Sequence, residues 1–321
     1  MKSVRNLYGA SRHFHSERIR ACIILALVFS RMHFTPTHCP HPDCKYHFLE
    51  GGNFIKKSFY KVKRLNQYIR RFQCCNCKRT FSSRTLKSDY RHKKMDLNAK
   101  LQKLLTEGNS IRASSRILGM TYKNTFNKFL WLMREAKKKK EIQKYYIQTL
   151  YFDEMETIHH TKCKPLSIAL AVNEKYQILG MQVAEMPAKG RLAEFSVRKY
   201  GPRQDDREKA LESLFEQVKA GALSMPALIK SDQKSSYQKF VERYFPRVVY
   251  ETHSRAEKER HREKLHERLH KRKYDPMFVL NQRCAKLRSD IRRLTRRSWC
   301  TTKRLENLQG HLDIYLMSQL S

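Results

Sequence analysis

TLYFDEMETIHHTKCKPLSIALAVNEKYQILGMQVAE, residues 149–185, decides the fold. It holds three short runs, TLYFDEMET (149–157), PLSIALAV (165–172) and YQILGMQVAE (176–185), parted by turn-prone polar stretches. Runs of this length, rich in β-branched and aromatic residues and broken in this way, read as three antiparallel strands. In the first, the two-residue period of a strand sets Tyr151, Asp153 and Met155 on one face, with Glu154 and Glu156 on the other. In so basic a chain, an acid placed on a strand stands out.

Downstream come a helical stretch DDREKALESLFEQVKAGAL (205–223), an apolar strand PALIKSD (226–232), a helix YQKFVERYF (237–245) and a strand RVVYET (247–252). A strongly basic helical region follows. The order β-β-β-α-β-α-β-α matches a ribonuclease H-like α/β fold, which is the expectation for 141–321. In that order the first and fourth strands are neighbours. Asp153 therefore meets Asp232, which ends its strand where an α/β sheet presents its ligand-binding edge. Carboxylates brought together repel each other and are normally neutralised by bound Mg²⁺ or Mn²⁺. Two such ions activate a nucleophile and stabilise the leaving oxygen of a phosphodiester. The structural alternative is that Asp232 caps the next helix and Asp153 is a surface strand residue.

Upstream, LNAKLQKLLTEGNSIRASSRILGMTYKNTFNKFLWLMREA (97–136) has apolar residues at helical spacing, broken at Gly108 and Gly119. Ser110 is placed to cap one helix, Gly119 to end it and Thr121 to cap the next. Two helices joined by a tight turn, with Lys123 and Asn124 at the start of the second, suggest a helix-turn-helix over 91–140. Any small three-helix bundle reads the same way. The run Lys137 to Lys140 reads as a linker or a solvated helix end. Before it, HCPHPDCKYH (38–47) and FQCCNCKRTF (72–81) place two cysteine pairs about thirty residues apart. Each close pair makes a knuckle supplying two soft ligands, so Cys39, Cys44, Cys74 and Cys77 read as a zinc ribbon over 36–90. Cys75 is the poorer partner for Cys77, since one intervening residue does not let the backbone fold round a metal.

Lys and Arg number 67 against 30 Asp and Glu, a formal charge of +37. Such a surplus calls for a polyanion, and nucleic acid is the expected partner. The nine cysteines are an odd number and mostly isolated, against a secreted disulfide framework. ACIILALVF (21–29) is less than half of the ~20 residues a membrane span requires. It reads as a buried helix, and no membrane association is expected. No repeat, low-complexity tract, P-loop or GxGxxG fingerprint is found.

Zinc ribbon, helix-turn-helix and acidic ribonuclease H-like domain, in that order, resemble an insertion-sequence transposase of the DDE class. The resemblance is carried by RFQCCNCKRTFS (71–82), EGNSIRASSRILGMT (107–121), YFDEMET (151–157), IKSDQKSSY (229–237) and LNQRCAKLRSDIRRLTRRSWCTTK (280–303). It runs from about His38 onward and leaves residues 1–35 unassigned. It implies a structural Zn²⁺ and catalytic Mg²⁺ or Mn²⁺ held by Asp153, Asp232 and a third group on the helix after the fifth strand. That group is a Glu in the family, or sometimes Asp or Asn. Asp275 in RKYDPMFVLNQ (272–282), 43 residues beyond Asp232, is the choice. Asn281 and the glutamates of 255–270 are the alternatives, and Asp275 followed by Pro276 is also a good helix N-cap. Lys123 and Asn124 would contact element-end DNA, while Arg288, Arg292, Arg293, Arg296, Arg297 and Lys303 would contact phosphates. The implied partners are double-stranded DNA, at element ends and at the target, and a second copy of the chain in a homodimer or larger assembly. The implied setting is the nucleoid of a bacterial cytoplasm. A DNA-binding regulator with an inactive catalytic domain is the alternative function.

Overall fold

The computed structural model describes residues 34–62, 67–253, 275–295, 300 and 304–319. The chain divides into two compact units, 1–93 and 94–321. The expected helix ACIILALVF and the basic segment 255–270 lie outside the described residues.

The smaller unit is a three-stranded antiparallel meander of β1 (Phe54–Val62), β2 (Gln67–Cys74) and β3 (Thr80–Ser82). Phe54 pairs with Cys74, and Phe72 with Phe81. These aromatics, with Tyr46 and Leu86, wrap the cysteines into one small core. A core so slight needs a metal or other staple to hold.

The larger unit is mixed α/β. Three helices, α1 (Asp96–Thr106), α2 (Ile111–Ile117) and α3 (Tyr122–Glu141), precede strands β4 (Thr149–Ile158), β5 (Pro165–Asn173) and β6 (Ile178–Glu185). Then follow α4 (Ala193–Tyr200), α5 (Arg207–Gly221), β7 (Leu228–Asp232), α6 (Gln238–Tyr244) and β8 (Val249–His253). Helices α7 (Phe278–Asp290) and α8 (Leu305–Gln319) complete the described elements. The five strands lie in the order β6-β5-β4-β7-β8. β4, β5 and β6 are antiparallel neighbours, while β7 runs parallel to β4 and β8 parallel to β7. The expected meander is present, and the first and fourth strands of this sheet are adjacent.

Both faces of the sheet are covered, which is why β5 is an almost unbroken apolar run. On one face Tyr151, Met155, Ile168 and Leu170 pack against Leu280 and Leu287 of α7 and Leu312 and Tyr315 of α8. On the other, Phe152, Ala169 and Leu179 pack against Leu211, Leu214 and Phe215 of α5 and Phe240 of α6. A third cluster joins Leu101, Leu105, Phe129, Leu132 and Ala136 of the helical layer to Ile314 and Met317 of α8. Gly310 makes the close approach possible, because a Cβ there would stand 2.4 Å from Met133 Cγ.

Three features sharpen the sequence reading. Residues 137–140 are a helix end and not a linker: they belong to α3, whose buried residues include Thr125, Phe129, Leu132 and Ala136, and Lys137, Lys138 and Lys139 are exposed. Lys140 turns in to a 3.2 Å ion pair with Asp313, and both side chains are largely buried. Helix α4 had no visible signal, since Phe195 and Val197 are exposed and Ser196 is its buried residue. Within the basic helical region, α7 stops at Asp290 and a single 3₁₀ turn (Arg292–Leu294) follows.

Candidate metal centre and candidate active site

In the smaller unit the segment before β1 folds Cys39 and Cys44 toward the β2–β3 turn. Cys39 N–H donates to Tyr46 O at 2.9 Å and Cys44 N–H to His41 O at 3.1 Å, closing the first knuckle. Lys78 N–H donates to Cys74 O at 2.9 Å, and Gln73 Nε2 donates to Lys78 O at 2.8 Å, closing the second. Lys78 there adopts a φ of +57°. An Arg79–Asp43 pair of 3.0 Å, exposed and therefore weak, spans the two. The four sulfurs all lie within 4.8 Å of one another, with Cys39–Cys77 and Cys44–Cys74 each at 3.7 Å. Zn–S bonds of about 2.3 Å in a tetrahedron require sulfur separations of about 3.8 Å, so the set fits a structural metal such as Zn²⁺. Cys75 stays outside the group. Burial pushes the Cys39 thiol up to about 12. Asn76, donating to the Cys44 sulfur, draws that thiol down to about 6. The four cysteines were legible from spacing alone.

In the larger unit the last registered pair between β4 and β7 is Phe152 with Ser231. Asp153 and Asp232 are the next residues on these two parallel strands. Asp153 lies midway along β4 and Asp232 ends β7, so the register carries the two to neighbouring positions on strands about 4.8 Å apart. β7 and β8 then pair Asp232 with His253, so three polar residues form one row across the sheet edge. Both aspartates are half-buried. Oδ1 of Asp153 accepts from Glu154 N–H at 2.7 Å, and Oδ1 of Asp232 accepts from Gln233 N–H at 2.8 Å. Glu154 turns to the opposite face, where it accepts from Ser167 Oγ at 3.1 Å and pairs with Lys234. Tyr237 sits under both acids: its hydroxyl is 3.2 Å from Asp153 Oδ1 and 3.2 Å from Glu154 Oε2. Burial, then Asp153 and Glu154, raise the Tyr237 phenol well above its ordinary range, so it is a neutral donor. Lys234 and Tyr237 lie within the quoted stretch IKSDQKSSY, but the sequence assigns no role to them or to His253.

Asp275 opens the turn into α7, its Oδ1 accepting from Met277 N–H at 2.9 Å. Its Oδ2 accepts from Asn281 Nδ2 at 2.9 Å, so two of the third-group alternatives touch. Asn281, Cys284 and Arg288 recur at the spacing of one helix face. Burial pushes the Cys284 thiol up to about 11, against the lowering effect of Arg288. Asp153, Asp232 and Asp275 do not form a tight ligand group as the cysteines do; among the described residues the four cysteines are the group of three or more that does so.

The helical segment 96–141 follows its capping signals. Ser110 Oγ accepts from Ala113 N–H at 3.1 Å, Gly119 takes a φ of +57°, and Thr121 Oγ1 accepts from Asn124 N–H at 3.3 Å. Lys123 and Asn124 are exposed at the start of α3, as is Arg292 after α7. Arg288 is half-buried. Arg293 is corrected: it is buried and donates to the carbonyls of Ile158 and His159, fastening the end of β4 instead of facing a phosphate. Burial lowers its pKa to about 10. Arg296, Arg297 and Lys303 lie outside the described residues.

Among the described residues no helix is long and apolar enough to cross a membrane. No protein-family model matches the chain, and no curated protein matches it significantly.

Proposed function

We propose that the chain is a DNA transposase of the DDE class, with a zinc ribbon, a helix-turn-helix and a ribonuclease H-like catalytic domain. The observation that carries this reading is the β4–β7 register, which ends at Phe152 and Ser231 and so brings Asp153, midway along β4, next to Asp232 at the end of parallel β7, in a sheet ordered β6-β5-β4-β7-β8. Hard carboxylate oxygens fit Mg²⁺ or Mn²⁺. Asp153, Asp232 and either Asp275 or Asn281 would hold the ions. When bound, such ions lower the pKa of water and neutralise charge at a phosphodiester. The protein's own part is to keep two like charges in register, to present the Arg288 face of α7 to a DNA backbone, and to select the element end through Lys123 and Asn124. Water then cuts the element end, and the freed 3′-OH attacks target DNA.

A labelled duplex carrying the element's terminal repeat tests this. Wild type is expected to nick it with Mg²⁺, and Asp153→Ala and Asp232→Ala are expected to bind it without nicking. Asp275→Ala and Asn281→Ala, compared side by side, decide the third group. The second reading, a DNA-binding regulator, draws support from Asp275, whose carboxylate is engaged by Met277 and Asn281. Tight end binding with no nicking by wild type would establish it.

A further inference from the structure

The sequence offers two adjacent acids, Asp153 and Glu154, and a strand period alone does not say which one a cation meets. The structure separates them. Glu154 is nearly enclosed, its side chain 9% exposed, and is held by Lys234, Ser167 and Tyr237. The Tyr237 ring is fully buried against Phe152, with ring centres 4.9 Å apart, and is held by the short 3₁₀ turn Ser235–Tyr237 that follows Asp232. Its hydroxyl reaches past the end of β7 to the Asp153–Glu154 step of β4. We infer that Tyr237 is a positioning residue: its hydroxyl fixes the Asp153 carboxylate for a divalent cation, while Lys234 retains Glu154 on the far side of the strand. Of the two acids, only Asp153 is presented beside Asp232.

The inference rests on the proposed reading of Asp153 as a cation-facing acid. One hydroxyl serves two carboxylates, so its loss leaves Asp153 with less restraint and the Asp153–Glu154 pair with more repulsion. Losing a hydrogen bond to the charged acid that meets the cation puts about tenfold in cation affinity at stake.

The experiment is Mn²⁺ titration of the zinc-replete full chain, followed by the loss of the free-ion electron paramagnetic resonance signal, with nicking measured in parallel. Tyr237→Phe keeps the buried ring and is expected to weaken Mn²⁺ about tenfold, while nicking at saturating Mn²⁺ returns close to wild type. Glu154→Gln is expected to leave Mn²⁺ affinity within about twofold, because the neutral amide competes less than a carboxylate for the hydroxyl, which still holds Asp153. Wild-type Mn²⁺ affinity in Tyr237→Phe overturns the inference, even if thermal stability falls. Mn²⁺ binding lost in Glu154→Gln but kept in Asp153→Asn overturns it as well, by making Glu154 the ligand. A wild type that binds no Mn²⁺ overturns it together with the metal reading. One that binds Mn²⁺ in a Tyr237-dependent way and cuts no DNA overturns only the transposase reading.

Discussion

Cys74 closes β2 with no exposed surface, its sulfur 3.7 Å from that of Cys44. A serine there is nearly isosteric but offers a hard, protonated oxygen where a soft thiolate is wanted. Structural Zn²⁺ contributes about 10–16 kcal/mol to comparable small sites, far more than the few aromatic contacts of this core can replace. Cys74→Ser is expected to lose bound zinc and to unfold the 34–93 region, read by metal analysis and by limited proteolysis. Unchanged zinc content would refute the site. Residues of this kind were legible in the sequence because their chemistry is tied to local spacing. Tyr237 and Lys234 were not, since their partners lie 84 and 80 positions away and only the fold brings them together. Arg293 looked like its neighbours in a basic run; its burial beneath the end of β4 has no signature in one dimension.

At the scale of elements, local signals were reliable wherever a cap or an alternation specified them. The strands of 149–185 and the caps at Ser110 and Thr121 fall where the sequence put them. Helix α4 escaped because a short helix that buries mainly Ser196 carries no apolar period. Of the two readings of residues 137–140 the solvated helix end holds: Lys137, Lys138 and Lys139 are exposed on the last turns of α3, and Lys140 turns in to pair with Asp313. Ser110→Ala and Thr121→Ala each remove a side-chain acceptor for a helix-start N–H. Each is expected to lower stability by about 1 kcal/mol in urea unfolding, with the same denaturant dependence as wild type. A loss below a few tenths for both would mean that α2 and α3 are held by packing alone. Because both caps flank the turn before Lys123, duplex affinity should fall together with stability.

Over the whole molecule the charge of +37 is the dominant long-range property. Neutralising six to ten phosphates releases as many counterions, so duplex affinity should fall by about 10³–10⁵ between 50 and 200 mM salt. Fluorescence anisotropy on element-end and unrelated duplexes would measure both slopes. Equal affinity at all salt concentrations would remove nucleic acid as the partner. A different whole-chain property follows from α8, which supplies Leu312 and Tyr315 to the sheet core and Ile314 and Met317 to the helical layer. Lys140 and its partner Asp313 are separated by 173 positions. At 5–20 residues made per second, α1–α3 leave the ribosome on the order of ten to thirty seconds before the helix that seals them. Until then the apolar stripe of α3 is covered only by α1 and α2, and a nascent chain ending short of residue 305 lacks the support that Ile314 and Met317 give the helical layer. In the proposed reading, unfinished chains would thus be poor competitors for element ends, so translation itself times when the protein becomes able to bind.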